Sequence, residues 1–198
     1  PLASIHSKQW ISYFARAGHD VHAIDASFDD AHEMPDVTVH HLPLRGTRLP
    51  IAKYLLRFPR WLGSWRRLIK VINPDVMHIH WLGLHALGAA LSAGSNALVV
   101  TPWGSDLLVN PRESIKWRLQ VRRILATGSS FICDAEHLRD ELVHRGIPRE
   151  RIHVIAFGTD VNRFEPRQRD PRLAGELGFR DEAPLVISMR ALDPIYDI

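Results

Sequence analysis

Apolar positions in this chain alternate between two spacings. Ile5, Trp10, Tyr13, Phe14 and Ala17 recur at helical intervals, Gly18-His19 stops the pattern, and Val21–Ile24 reads as a strand. The same alternation continues with strands at Val37–His41, Val76–His80, Ala97–Thr101, Ser130–Cys133 and His153–Ala156. Between them, helical spacing covers Ile51–Ile72, Leu84–Ala93, Ser114–Ala126 and Glu136–His144, with Pro59 expected to divide the first of these into two helices. Strands alternating with helices predict βαβ units, hence an α/β fold: a Rossmann-like, mostly parallel sheet with helices on both faces. A helix feeding a strand normally follows an earlier strand, so a first strand is expected ahead of Pro1.

The pattern changes after Phe157. Gly158–Pro166 is turn-rich, a short helix is predicted near Arg172–Leu177, and Leu185–Met189 reads as a new strand. Three segments result: a first domain over 1–157, a linker and connecting segment over 158–184, and the opening strand of a second domain over 185–198. On this reading the chain is truncated at both ends and would, by itself, bind weakly and catalyse nothing.

Composition narrows the picture. With 45% hydrophobic and 24% charged residues in 198, disordered, collagenous and coiled-coil classes are excluded. Cys133 is the single cysteine, so no internal disulfide forms and a reducing, cytoplasmic setting is the default, with a cysteine-poor extracellular protein as the alternative. The thirty residues Val76–Ser105 carry no Asp, Glu, Lys or Arg, yet Gly94-Ser95-Asn96 interrupts them and His78, His80 and His85 would be costly in lipid, so buried strands and a helix are the better reading.

Net charge is +3, but eight basic residues (Arg45, Arg48, Lys53, Arg57, Arg60, Arg66, Arg67 and Lys70) lie between Val37 and Pro74 with no acidic one. Beside Trp61 and Trp65, the cations Lys53, Arg57, Arg60, Arg66 and Arg67 could form an interfacial face against an anionic membrane. The competing reading packs that apolar face on the sheet and leaves the cations in water. No nucleic-acid module is present, and nucleic acid is not an expected partner.

No P-loop, dinucleotide fingerprint, nucleophile elbow or H-E-x-x-H occurs, and His78-x-His80 and His40-His41 lack further ligands nearby, so no metal site is expected. In open α/β sheets ligands bind at the carboxyl ends of the strands. Three such ends carry a polar group (His6, His80, Asp106) and two carry an indole (Trp81, Trp103), a combination suited to a polyhydroxylated or ringed ligand. The plainer alternatives are that Ser4, Ser105 or Asp106 cap helices and that the two indoles close the core.

Gly18-His19-Asp20-Val21-His22, Pro74-Asp75-Val76-Met77-His78-Ile79-His80, Thr101-Pro102-Trp103-Gly104-Ser105-Asp106, Ile152–Ile155 followed by Gly158-Thr159-Asp160 with Phe164 and Pro166, and Ser188-Met189-Arg190-Ala191-Leu192 occur in one order over nearly the whole chain. In that order and spacing they resemble the group 1 family of retaining glycosyltransferases, family 4, with the two-domain GT-B fold. The resemblance implies an acceptor-side first domain, a nucleotide-sugar domain after the linker, and metal-independent transfer from a nucleotide sugar to a saccharide or lipid acceptor with retention at the anomeric carbon. It places Arg190, His6 and Gly158 on the donor side and Trp81, Trp103, Gly104 and Ser105 on the acceptor side. Catalytic residues stay unassigned, with His80 and Asp106 as candidates. No cofactor beyond the donor is implied, and lipid-acceptor members dock on the inner membrane face. Arg190 could equally be a surface arginine at a strand end.

This chain departs from the family pattern. The loop Ser4-Ile5-His6-Ser7 has no glycine, Trp103 stands where many members have histidine, Tyr196 replaces a lysine, and the chain stops before the family's glutamate pair. A non-catalytic GT-B-like binding or membrane-docking module is the alternative reading.

Overall fold

The computed structural model describes residues 4–25, 34–42, 51–162, 164–166, 168 and 170–178. The expected strand at Leu185–Met189, Arg190 and Tyr196 lie outside the described residues. The chain divides into two compact units, Pro1–Phe157 and Gly158–Ile198.

In the first unit α1 (Ile5–Arg16) leads into β1 (Val21–Asp25) through Gly18, whose φ of +86° is open to glycine without strain. β2 (Val37–His41) pairs with β1 in parallel, Val21 opposite Val37. The helix α2 (Ile51–Ile72) then delivers the chain to β3 (Val76–His80), α3 (Leu84–Ser92) and β4 (Ala97–Thr101). Two short helices follow, α4 (Ser105–Leu108) and α5 (Asn110–Glu113), then α6 (Ile115–Thr127), β5 (Ser130–Cys133), α7 (Glu136–His144) and β6 (Ile152–Val154). β3, β4, β5 and β6 pair in parallel in chain order, and β1–β2 form a separate sheet.

Strand alternation decides what each face does. Met77, Ile79, Leu98, Val100, Phe131 and Cys133 point to one face and are buried in a single cluster with Trp61, Trp65 and Ile69 of α2, the alanines of α3, and Val121 and Ile124 of α6. Each fully buried Leu, Phe or Ile there contributes about 2 kcal/mol from area alone. The opposite face, with His78, Val99 and Ile132, is only half-buried, and α1 reaches it through Trp10. Helices therefore cover both faces, as expected, densely on one side and through α1 on the other.

One expectation is corrected: Pro59 does not divide its segment, and α2 runs unbroken through it. Proline removes one backbone donor, but Trp61, Trp65 and Ile69 are anchored in the core beyond it and hold the helix. Gly88 of α3 lets α2 approach closely, since a Cβ there would lie 2.6 Å from the Trp61 ring and 2.8 Å from Trp65 Nε1. Leu42, just after β2, ties the smaller sheet to this helical layer: its carbonyl accepts hydrogen bonds from Trp61 Nε1 and His85 Nε2, each at 3.1 Å.

In the second unit, α8 (Pro171–Glu176) follows Asp170, whose carboxylate accepts from the Arg172 N–H at 2.9 Å as a helix cap. Ahead of it, Asp160 closes a turn by accepting from the Asn162 N–H with its side chain and the Phe164 N–H with its carbonyl.

Candidate functional site

The carboxyl ends of the parallel strands bring together residues that are distant in sequence. His6 stands in the first turn of α1, His80 ends β3, Trp103 follows β4, and Phe157 follows β6. The His6 ring stacks on Phe157 at 4.3 Å between centroids and meets the Trp103 edge at 5.7 Å. His80 lies 6.2 Å from Trp103 and 4.1 Å from His78, and Trp10 covers His78 and His80 at 5.3 and 6.4 Å.

Three ring nitrogens of this cluster, His6 Nδ1, His80 Nδ1 and Trp103 Nε1, are buried without a hydrogen-bond partner. Ser7 Oγ, next in sequence to His6, is in the same condition. Buried polar atoms normally find partners, so several unmet ones in one place make this edge the candidate site. Elsewhere among the described residues such atoms occur singly, at Trp65, Ser92 and Arg139.

Burial also fixes the charge of His78 and His80. It lowers the His80 pKa to about 3, with the neighbouring His78 imidazole adding to the effect, and it lowers His78 to about 4. Both rings are neutral at physiological pH, and His78 Nε2 shares a 2.7 Å hydrogen bond with the Thr101 hydroxyl. Neutral imidazoles donate and accept, as hydroxyl groups require, and do not balance a phosphate charge.

Asp106 and Trp81 form a different arrangement behind this rim. Asp106 is fully buried, and its two carboxylate oxygens accept from the Leu82 N–H at 2.8 Å and the Trp103 N–H at 2.9 Å. Burial raises its pKa, and the backbone donors around it oppose that rise. Trp117 Nε1 donates to the Asp106 carbonyl at 2.9 Å, and Gln120 Nε2 donates to the Leu82 carbonyl at 2.7 Å. Asp106 thereby clamps the loop after β3 to the loop after β4. Trp81 adopts φ +65°, rare for a bulky residue, which turns its indole onto Trp117 at 5.3 Å. Gly83 is required beside it, because a Cβ there would run into the Trp81 ring. The two indoles thus face different neighbours, Trp103 toward the histidines and Trp81 toward α6.

The remaining expected residues are placed as follows. Gly104, at φ +117°, precedes α4 in the N-cap position, so Ser105 is already the first helical residue. Ser4 occupies the N-cap of α1 without a side-chain bond, although its carbonyl accepts from the Lys8 N–H at 3.1 Å. Gly158 opens the second unit and is exposed. Among the described residues no group of three or more His, Cys, Asp or Glu is arranged to hold a metal ion. On β1 and β2, His22 Nδ1 and His40 Nε2 share a 2.8 Å hydrogen bond as a stacked pair. On α2, Trp61 and Trp65 are buried, while Arg57, Arg60, Arg66 and Arg67 are exposed. No helix among the described residues is long and apolar enough to cross a membrane.

The sequence reading did not single out Phe157, Trp10 or Gln120 as parts of this edge. Phe157 had a usable signal, an aromatic at the end of the last strand immediately before a glycine. Gln120 had none, since its bond to Leu82 spans thirty-eight residues.

A unit of parallel strands joined by helices belongs to the Rossmann-like α/β class, in which the carboxyl edge of the sheet is where ligands bind. The family model described as Glycosyltransferase Family 4 matches residues 3–163. The chain therefore belongs to glycosyltransferase family 4. No curated protein matches it.

Proposed function

We propose that this chain contributes the acceptor side of a retaining, metal-independent sugar transfer from a nucleotide sugar to a saccharide or lipid acceptor. The observation that carries the reading is the gathering of His6 Nδ1, His80 Nδ1 and Trp103 Nε1, all unpartnered, at the edge where α/β domains take ligands. A sugar offers what these groups need: hydroxyls for the ring nitrogens and a C–H face for the Trp103 and Phe157 rings. Because His80 is neutral and, with a pKa of about 3, a weak base, its role is to orient an acceptor hydroxyl rather than to store its proton. The charge of the leaving diphosphate then falls to cations beyond this cluster. Arg190 is the proposed one, as an always-charged fork suited to phosphate, and His6 and Gly158 are likewise assigned to the donor side. Trp81, Gly104 and Ser105 are assigned to the acceptor side through the loops they shape.

The test is incubation of the protein with a panel of nucleotide sugars and saccharide or lipid acceptors, following binding by tryptophan fluorescence and turnover by nucleotide release. Saccharide binding that disappears in Trp103→Phe and weakens in His80→Phe is expected. Binding without turnover by the full-length gene product would favour a non-catalytic module. Absence of binding to every compound would overturn both readings.

A further inference from the structure

On the densely packed side of the first unit, α3 and α6 leave a groove of about 520 Å³ between them. One wall is a single stripe of α3, Leu84, Leu87 and Leu91, spaced three and four residues apart. The other is α6, where Ile115 and Leu119 are 66% and 59% exposed and Lys116 and Arg123 line the groove beside them. The two walls have the same length. Leu84 to Leu91 and Lys116 to Arg123 are each seven residues, about two turns or 10 Å of helix. Isolated exposed apolar residues mean little, but an apolar wall facing a cationic one over two turns is a surface with a defined complement.

The placement of charge selects the occupant. α6 carries cations and no acidic residue, and α3 has no Asp, Glu, Lys or Arg. Lys116 and Arg123 stand in the wall of the groove, across from the leucines, rather than at its outer margin. A flat bilayer laid on it would therefore set two charges against acyl chains, which is costly. A second copy of the groove would set cations against cations. A rod with two different sides satisfies both walls at once: an amphipathic helix with apolar residues on the stripe toward α3 and carboxylates two turns apart on the stripe toward α6.

We propose that the α3–α6 groove docks an acidic amphipathic helix of a partner protein, its apolar stripe against Leu84, Leu87 and Leu91 and its carboxylates paired with Lys116 and Arg123. The proposal does not rest on sugar transfer, since docking of a helix requires no sugar.

The test uses two fluorescein-labelled helical peptides of about 16 residues with the same i, i+3, i+4, i+7 leucine stripe, flanked by glutamates in one and by lysines in the other. Fluorescence anisotropy with the whole chain is expected to show saturable binding of the glutamate peptide below about 100 µM and binding of the lysine peptide about tenfold weaker or less. Lys116→Glu/Arg123→Glu should reverse that preference, and Leu119→Gln should weaken the glutamate peptide about fivefold. Arg66→Gln/Arg67→Gln on α2 should bind it within about twofold of the parent, because Trp61 and Trp65 of that helix are in the core and leave no apolar wall beside those arginines. All five positions are exposed, so circular dichroism melts should match the parent and separate lost docking from lost folding. Absence of saturable binding, equal affinity for the two peptides, an unchanged preference in the charge-reversed variant, or a loss confined to the α2 variant would each overturn the proposal. So would a concentration-dependent dimer in light scattering that Leu119→Gln abolishes, which would assign the groove to a second copy. Sedimentation with phosphatidylglycerol vesicles by a chain that binds neither peptide would assign it to a lipid surface and overturn the proposal equally.

Discussion

Trp103 and Asp106 are three residues apart in one loop and belong to opposite kinds of polar chemistry. Around Asp106, carboxylate, carbonyl, indole and amide groups are joined by bonds of 2.7 to 2.9 Å that lock two loops together. Around Trp103, His6 and His80, ring nitrogens equally removed from water have no partner. A satisfied buried network stabilises and specifies a backbone, whereas an unsatisfied one lowers stability until something binds. The loop geometry is thus held by the first group, and the second is the one that the proposed acceptor would complete.

The contrast is broken most severely at Asp106. Asp106→Ala would strand the Leu82 and Trp103 N–H groups in the interior, with a loss of about 4 kcal/mol expected in urea denaturation at neutral pH. A loss under about 1 kcal/mol would mean that water replaces the carboxylate and that the clamp is not structural.

Acid is the next test, and it acts on the histidine side. The folded values of His78 and His80, about 4 and about 3, lie below the ordinary 6.5. The unfolded chain therefore takes up protons first: stability is intact above about pH 6.5 and is lost as pH falls from there toward 3. Between pH 7 and pH 5 a decrease of roughly 3 kcal/mol from the pair is expected, read from denaturation midpoints. His78→Gln/His80→Gln should flatten that slope, and an unchanged slope would assign acid sensitivity elsewhere.

A smaller effect is expected where the two groups are kept apart. Gly83→Ala pushes a Cβ into the Trp81 ring, and about 1.5 kcal/mol of destabilisation should accompany a shift of tryptophan emission as the Trp81–Trp117 contact opens. The smallest stability change belongs to His80→Phe, which exchanges an unpartnered ring for an apolar one of similar shape. It should fall within about 1 kcal/mol of the parent, in either direction, while saccharide binding weakens. A large loss there would show that His80 is part of the structural network.

Strand positions were legible because each parallel strand is a short apolar run closed by turn residues; Val76–His80 and Ala97–Thr101 have the same limits in sequence and structure. The short helices α4 and α5 were not, because Ser105–Glu113 is too brief for a periodic signal. At the site, His6, His80 and Trp103 could be placed on one edge from topology alone. Their separation from Trp81 could not, since it depends on a single left-handed backbone conformation that no local pattern announces for a tryptophan. Asp106 illustrates the other limit: a carboxylate after a strand reads identically whether it faces a ligand or a ring of backbone donors.

The carbonyl of Leu42 has one further consequence. It holds the two-stranded sheet to α2 and α3 through two side-chain donors, while among the described residues no strand-to-strand pairing joins β1 or β2 to the larger sheet. Amide hydrogen exchange should therefore resolve two populations, with β1 and β2 exchanging through a shallow opening and β4 and β5 only when the whole unit unfolds. The described sheets of the first unit then open in a set order, the smaller one first.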